Sequence, residues 1–167
     1  MKVGILADSH DNVPKVKRAA ELFAEHDVGL VIHAGDFIAP FAVAPLAELT
    51  CPVKAVLGNN DGERLGLAKR FEAMGSELAP HLLDTTAAER RIAAVHYPDL
   101  ADAIASGGRY DLVIYGHTHE IDIRMEGPGT LVLNPGETGG WLSGRATVAI
   151  VDLDEMAVEI LDLEHGK

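Results

Sequence analysis

The sequence has few of the features that mark membrane-spanning, extracellular or nucleic-acid-binding proteins. It contains one cysteine, Cys51, so no disulfide can form within the chain, and a reducing cytoplasm is the expected compartment. Its apolar runs fall short of the roughly 18 residues of a membrane span. The apolar stretch at 1–7 ends at Asp8, which favours a first β-strand over a signal peptide. Lys and Arg total 14 against 26 Asp and Glu, and this acidic balance disfavours binding to a nucleic-acid backbone or an anionic membrane.

What the chain does contain is an alternation of short apolar runs and amphipathic stretches. Its length predicts a single domain over 1–167, with a substantial core. The pattern predicts helices over 13–25, 40–49, 63–74 and 98–107, and strands over 2–7, 28–33, 53–57, 91–96, 112–115, 120–126, 130–134, 146–153 and 156–163. Helices and strands alternate early, and strands dominate late. The expected class is therefore α/β, with two sheets packed face to face and helices outside them.

Five of the predicted strands end in side chains that are able to bind a metal ion. In open α/β sheets the carboxyl ends of the strands form the ligand-binding crevice, so these groups are expected to converge. Carboxylate and amide oxygens combined with imidazole nitrogens suit Mn, Fe, Co, Ni or Zn better than Ca or Mg. The groups are Asp8-Ser9-His10, Gly35-Asp36, Gly58-Asn59-Asn60-Asp61, His96 and Gly116-His117-Thr118-His119.

Each of these groups also has a structural interpretation. Asp8, Asp36 and Asn59 are common turn or capping residues, and His117 and His119 are compatible with an ordinary surface loop. Their recurrence at five successive strand ends favours a shared site. The role of His33 stays open between a hydrogen-bonding neighbour of the site and a core histidine. Three further histidines have no metal-like partners in the pattern and are interpreted as loop or terminal residues: His26, His81 and His165.

Taken in order, the five groups resemble the five motifs of the calcineurin-like metallophosphoesterase superfamily. Asn134-Pro135-Gly136 also resembles a segment of its small YfcE-type phosphodiesterases. The resemblance implies the four-layer α-β-β-α sandwich of the metallo-dependent phosphatase fold. It implies two divalent transition metal ions (Mn, Ni, Co, Fe or Zn) bridged by Asp36. One ion would be held by Asp8, His10 and His119, and the other by Asn59, His96 and His117.

The implied reaction is hydrolysis of a small phosphate ester by in-line attack of a hydroxide held between the two metal ions. Many members of the superfamily carry a histidine where this chain has Asn60, placed to protonate the leaving group. An amide donates a hydrogen bond but transfers no proton at neutral pH, so diesters with acidic leaving groups are the expected substrates. Asn60 and Asp61 are the predicted catalytic residues, with Asp61 orienting His10 or Asn60. Asn59, Asn60 and His96 are the predicted substrate contacts.

Other functions stay open at this point. A retromer subunit shares the implied fold and acts as a non-catalytic scaffold for protein partners, and the superfamily also contains phosphomonoesterases and nucleases. Two features leave the substrate undefined: Tyr97, where relatives usually have glycine, and the glycine-rich loop at 136–145 that carries Trp141. A homo-oligomer is compatible with the sequence, but no interface can be identified from it.

Overall fold

A computed structural model describes residues 1–163 of the chain; His165 and the other three terminal residues lie outside this range. The first sheet has six strands in the order β11-β10-β1-β2-β3-β4. β1 to β4 are parallel, whereas β10 is antiparallel to β1 and β11 is antiparallel to β10. The strands are β1 (Lys2–Leu6), β2 (Leu30–His33), β3 (Val53–Val56), β4 (Glu77–Ala79), β10 (Thr147–Asp152) and β11 (Ala157–Asp162).

The second sheet has five strands in the order β5-β6-β7-β9-β8. Its central strands β6, β7 and β9 are parallel, and the two edge strands are antiparallel to their neighbours. The strands are β5 (Leu83–Ala87), β6 (Arg90–Ala94), β7 (Leu112–Ile114), β8 (Ile121–Glu126) and β9 (Thr130–Pro135). Three α-helices and one 3-10 helix connect the strands: α1 (Val13–Glu25), the 3-10 helix (Pro40–Glu48), α2 (Arg64–Ala73) and α3 (Pro98–Ser106).

The buried side chains form three layers of contact, which fix the order of the sheets and helices. Val16 and Phe23 of α1 and Leu67 of α2 pack on one face of the first sheet. A middle layer lies between the two sheets and includes Ile5, Ile32, Ile114 and Leu133. Ala101 and Ala105 of α3 cover the outer face of the second sheet. This arrangement is the predicted α-β-β-α sandwich, in which each sheet buries both faces.

The segment predicted as a helix over 40–49 forms a 3-10 helix, Pro40–Glu48, rather than an α-helix. Pro45 lies inside it and has no N–H to donate, and its ring would clash with the carbonyl oxygen four residues earlier in an α-helix. The amphipathic stretch at 13–25 does form an α-helix. Pro14 lies in its first turn, and the side chain of Asn12 accepts a hydrogen bond from the backbone N–H of Lys15.

Two strands were absent from the prediction, β4 and β5. β4 has three residues and an exposed Glu77, so it carries little apolar signal. In β5 the buried positions are Leu83 and Thr85, and the exposed positions are Asp84 and Thr86. Thr85 is buried because its hydroxyl accepts a hydrogen bond of 2.8 Å from Lys54 of the other sheet. The strand alternates buried and exposed residues, but the apolar pattern does not show it because one of the two buried residues, Thr85, is polar.

The first sheet has four parallel strands, β1 to β4, and the second has three, β6, β7 and β9. Within each sheet the carboxyl ends of these strands lie at one edge, and the loops that follow them form a row there. Loops from both rows meet, because the backbone N–H of His117 reaches the carboxylate of Asp8 and His96 Nδ1 lies 2.8 Å from the carbonyl oxygen of Ala34. The polar residues predicted from the strand ends lie along this seam between the sheets.

Candidate metal centre

Asp8, His10 and His119 bring three donor atoms together on one side of the seam. The Nε2 atoms of His10 and His119 are 3.3 Å apart. Asp8 Oδ1 lies 3.9 Å from His10 Nε2 and 3.6 Å from His119 Nε2. The donor atoms of the three side chains lie within 4.8 Å of one another, so the three form a candidate cation site.

Asn59, His96 and His117 form a second group of donors. Asn59 Oδ1 lies 2.9 Å from both His96 Nε2 and His117 Nδ1. Asp36 joins the two groups, since its Oδ2 lies 3.4 Å from His96 Nε2 and 3.7 Å from His10 Nε2. All seven side chains predicted as ligands are thus in one connected cluster, with Asp36 between its two halves.

The backbone around the cluster adopts an unusual conformation. Five of the seven predicted ligands have positive φ: Asp8 (53°), His10 (43°), Asp36 (62°), His117 (70°) and His119 (61°). Asp and His tolerate this left-handed region better than most residues, but each such position still costs free energy. The preceding strand and the hydrogen bonds of the loops hold the side chains in place against this cost.

Glycines allow the loops to approach each other closely. A Cβ atom on Gly58 would lie 2.1 Å from Asp36 Oδ1, and a Cβ on Gly116 would lie 2.7 Å from Asp8 Oδ2. Both distances are far below a van der Waals contact. The glycines that precede Asn59 and His117 are therefore required by the packing of one loop against the carboxylate of another.

Asp61 occupies a different position from the one predicted. Its carboxylate is buried and accepts hydrogen bonds from the backbone N–H groups of Asp36, Ile38 and Gly58. These bonds fix the loops that carry Asp36 and Asn59, whereas the prediction had Asp61 orienting the side chain of His10 or Asn60. The structure therefore gives Asp61 a positioning role on the backbone.

Asn60 contacts the carboxylate of Asp36 through both its backbone and its side chain. Its backbone N–H donates to Asp36 Oδ1 at 2.8 Å, and its side-chain Nδ2 donates to Asp36 Oδ2 at 2.7 Å. The residue is exposed, so its amide remains open to solvent beside the cluster. A proton-donating group placed at this residue would stand next to Asp36.

The two buried carboxyl groups of the cluster differ in their electrostatic surroundings. Burial raises the pKa of Asp8 to about 7, and the nearby charge of His96 offsets this only in part. Burial also acts to raise the pKa of Asp36, but His96 and the two hydrogen bonds from Asn60 outweigh it and lower this pKa to about 2. A cation held beside Asp8 would stabilise its charged form in the same way.

His33 and Asn134 support the cluster from outside. His33 is buried, its Nε2 lies 3.1 Å from Ser9 Oγ, and burial lowers its pKa to about 3. Asn134 is buried and donates from Nδ2 to the carbonyl oxygen of Gly116 and to the hydroxyl of Thr118. These contacts fix the residues that lie between Asp8 and His10 and between His117 and His119.

Glu137 was missed by the sequence analysis. It is buried, and its Oε1 lies 3.3 Å from His119 Nδ1, although the geometry of this contact falls short of a hydrogen bond. A carboxylate on the far nitrogen of a metal-binding histidine orients the ring and raises its basicity. The sequence carries the same indication for Glu137 as for Asp8, because each lies two residues after the end of a strand, β9 and β1 respectively.

The α-β-β-α sandwich, with Asp, Asn and His side chains at the carboxyl ends of its strands, defines a phosphoesterase of the calcineurin-like class. A family model described as the calcineurin-like phosphoesterase superfamily domain matches residues 1–156, and the chain belongs to this superfamily. The chain is 35% identical to Phosphodiesterase MJ0936 of Methanocaldococcus jannaschii. The match covers 98% of this chain and 100% of that protein.

Solved structures give the same fold. A structure described as that of a novel archaeal phosphodiesterase superposes with a TM-score of 0.91 at 33% identity, covering 97% of this chain and 99% of that one. The phosphoesterase Yfce from E. coli superposes with a TM-score of 0.67 at 21% identity, covering 98% and 100%. The predicted fold class and the predicted superfamily are therefore both confirmed.

Membership of the superfamily implies divalent metal ions, and the residues present fit them. Two imidazole nitrogens 3.3 Å apart, with a buried carboxylate oxygen within 4 Å of both, are donors of the type that divalent transition metal ions prefer. The candidate ligand groups among residues 1–163 are Asp8, His10 and His119, and Asp8, Asp36 and His96. Among the described helices, none is long and apolar enough to cross a membrane.

Replacing Glu137 by glutamine is expected to lower the affinity for Mn²⁺ about tenfold, because His119 loses the carboxylate behind its ring. The measurement is competition with a chromophoric chelator. Glu155→Gln, on the exposed turn between β10 and β11, is the matched control and should leave the affinity unchanged. A Glu137→Gln protein that binds Mn²⁺ as tightly as the parent would contradict this role.

Proposed function

We propose that the chain is a metal-dependent phosphodiesterase that uses two divalent transition metal ions to hydrolyse small phosphate diesters. The observation that carries the proposal is the connected cluster of Asp, Asn and His donors, with Asp36 between its two halves. The name of the M. jannaschii relative, a phosphodiesterase, supports the same activity. When bound, the two ions would supply an activated water and Lewis acidity toward the phosphoryl oxygens.

The residues of the chain would divide the work as follows. Asp8, His10 and His119 would hold one ion, Asn59, His96 and His117 the other, and Asp36 would contact both. Asn59 and Asn60 are exposed at the edge of the cluster, and they would contact the phosphoryl group together with the buried His96. Asp61 and Glu137 would keep the loops and the His119 ring in position.

Asn60 supports a diester rather than a monoester as substrate. Its side-chain amide donates to Asp36 Oδ2 and has no proton to transfer to a leaving alkoxide. A diester with an acidic leaving group needs no such proton, so the absence of an acid at residue 60 lowers the hydrolysis rate of that substrate only slightly. We also propose that the enzyme acts in a reducing cytoplasm, in keeping with its single cysteine.

The test is hydrolysis of bis(4-nitrophenyl) phosphate beside 4-nitrophenyl phosphate. Chelator-treated protein is re-supplied separately with Mn, Ni, Co, Zn and Mg. Turnover that returns with a transition metal and is faster on the diester supports the proposal. Folded protein that turns over neither ester with any metal would instead indicate a binding scaffold. Faster turnover of the monoester would indicate a phosphomonoesterase.

Asn60→His is expected to raise the ratio of monoester to diester turnover about tenfold or more, because the imidazole supplies the missing proton beside Asp36. The gain should be larger on phenyl phosphate than on 4-nitrophenyl phosphate, since phenolate is the poorer leaving group. Asn60→Ala is the matched control: it removes the amide without adding an acid. An equal ratio in all three proteins would exclude this explanation of substrate preference.

A further inference from the structure

A cavity of about 510 Å³ opens beside the cluster, on the side of His117 and His119. Its size is in the range of sites that take a small organic molecule. Leu142 is the apolar residue of its lining and is 80% exposed. The lining residues are His117, Thr118, His119, Glu120, Leu142 and Ser143.

The loop that presents Leu142 is held by a buried group. The carboxylate of Glu137 accepts hydrogen bonds from the backbone N–H groups of Trp141, Leu142 and Ser143, and from the Ser143 hydroxyl. Trp141 Nε1 donates to the carbonyl oxygen of His10 at 3.1 Å. Glu137 therefore holds the backbone of residues 141 and 142, and the His10 carbonyl holds the Trp141 ring, whereas the Leu142 side chain itself is exposed.

Two further exposed aromatic side chains contact the ligand loops outside the cavity lining. Trp141 is 64% exposed and lies against the backbone of His10. Tyr97 is 41% exposed, and its ring centroid is 5.0 Å from that of His117, which also lines the cavity. Exposed aromatic and aliphatic side chains that contact the ligand loops offer a surface for an apolar group attached to the phosphorus.

We infer that this cavity binds the ester group that the enzyme does not release, and that this group is bulky, uncharged and apolar, of aryl or nucleoside size. The inference rests on the proposed diesterase function. Asn60 stands where an acid for the leaving group would be, and it is not among the residues that line the cavity. The cavity is thus left for the other ester group. Glu120 in its wall disfavours a second negative charge there.

The chain carries a built-in reporter for this site, because Trp141 is its one tryptophan. Diphenyl phosphate and dimethyl phosphate are titrated into the Mn²⁺-loaded protein and followed by fluorescence excited at the red edge of the tryptophan band. Diphenyl phosphate should bind about tenfold more tightly, from burial of one aryl group on Leu142. Leu142→Ala should reduce the ratio of the diphenyl phosphate affinity to the dimethyl phosphate affinity about fivefold. Met125→Ala, a 64% exposed apolar residue at the far end of β8, should leave that ratio unchanged.

Turnover separates this inference from the proposed function. Methyl 4-nitrophenyl phosphate and phenyl 4-nitrophenyl phosphate release the same leaving group, so a lower KM for the phenyl diester, lost in Leu142→Ala, supports the inference. Equal binding of diphenyl and dimethyl phosphate to the parent protein, or an unchanged preference in Leu142→Ala, overturns it even if both diesters are hydrolysed. Loss of turnover with the binding preference intact would count against the diesterase alone.

Discussion

Asp36→Asn is expected to lower metal-dependent diester hydrolysis by about three orders of magnitude while the protein stays folded. The carboxylate of Asp36 approaches both halves of the cluster, with Oδ2 3.4 Å from His96 Nε2 and 3.7 Å from His10 Nε2. The amide keeps the shape of the side chain but removes the negative charge that two cations would share. Bound Mn²⁺ per chain should therefore fall together with activity.

The measurement combines diester turnover, metal content and thermal unfolding. Asp27→Asn is the matched control: it is an exposed aspartate in the turn after α1, with a positive φ of 54° that asparagine also tolerates. It should behave as the parent in all three respects. Full activity in Asp36→Asn would sink the proposed arrangement of two ions around this residue.

Gly58→Ala is expected to reduce diester turnover about a hundredfold and to lower the free energy of unfolding by about 1–3 kcal/mol. The added methyl group would start 2.1 Å from Asp36 Oδ1 and 2.6 Å from the Asp36 backbone nitrogen. The neighbour is partly backbone, so it cannot move aside without shifting the loop. Gly58 also donates its N–H to Asp61 Oδ2 at 2.7 Å, so a shift of Gly58 would disturb the turn at 58–61 as well as the loop of Asp36.

Gly62→Ala is the control for that experiment, because it adds the same methyl group four residues later, where no atom lies within 4 Å. Turnover and urea unfolding of both variants are compared with the parent. Equal effects in the two variants would show that the loop accepts a side chain at residue 58. That outcome would contradict the account of loop contact at the cluster.

The fold was predictable because its main strands are short apolar runs with glycine and polar residues at their ends. The β1 and β2 runs, for example, are buried throughout apart from Lys2. β5 escaped the prediction because Thr85 is buried through a contact with Lys54, which is distant in sequence. The segment Pro40–Glu48 differs from the predicted helix because Pro45 lacks the N–H that an α-helix requires, and the apolar pattern alone does not carry this effect. Local pattern defines the elements, and long-range contacts modify them.

The ligand set was predictable for a different reason. Each predicted ligand follows directly on a strand, so sequence position alone places it at the shared edge. Glu137 follows β9 in the same way, yet its function depends on a contact with His119 and on four hydrogen bonds to the loop beyond it. The role of Asp61 likewise depends on backbone N–H groups of Asp36 and Ile38 from another loop, besides that of Gly58 in its own turn. Such contacts exist only once the loops are assembled.

The cluster is supplied by both sheets, and this division bears on how the protein holds together. Asp8, His10, Asp36 and Asn59 follow strands of the first sheet, whereas His96, His117 and His119 follow strands of the second. An ion held across the seam is a crosslink between two layers that are otherwise joined by apolar packing and loops. Its binding free energy would add to the stability of the whole sandwich. Removing the ions would therefore lower the stability of the sandwich, although the apolar packing between the two sheets would remain.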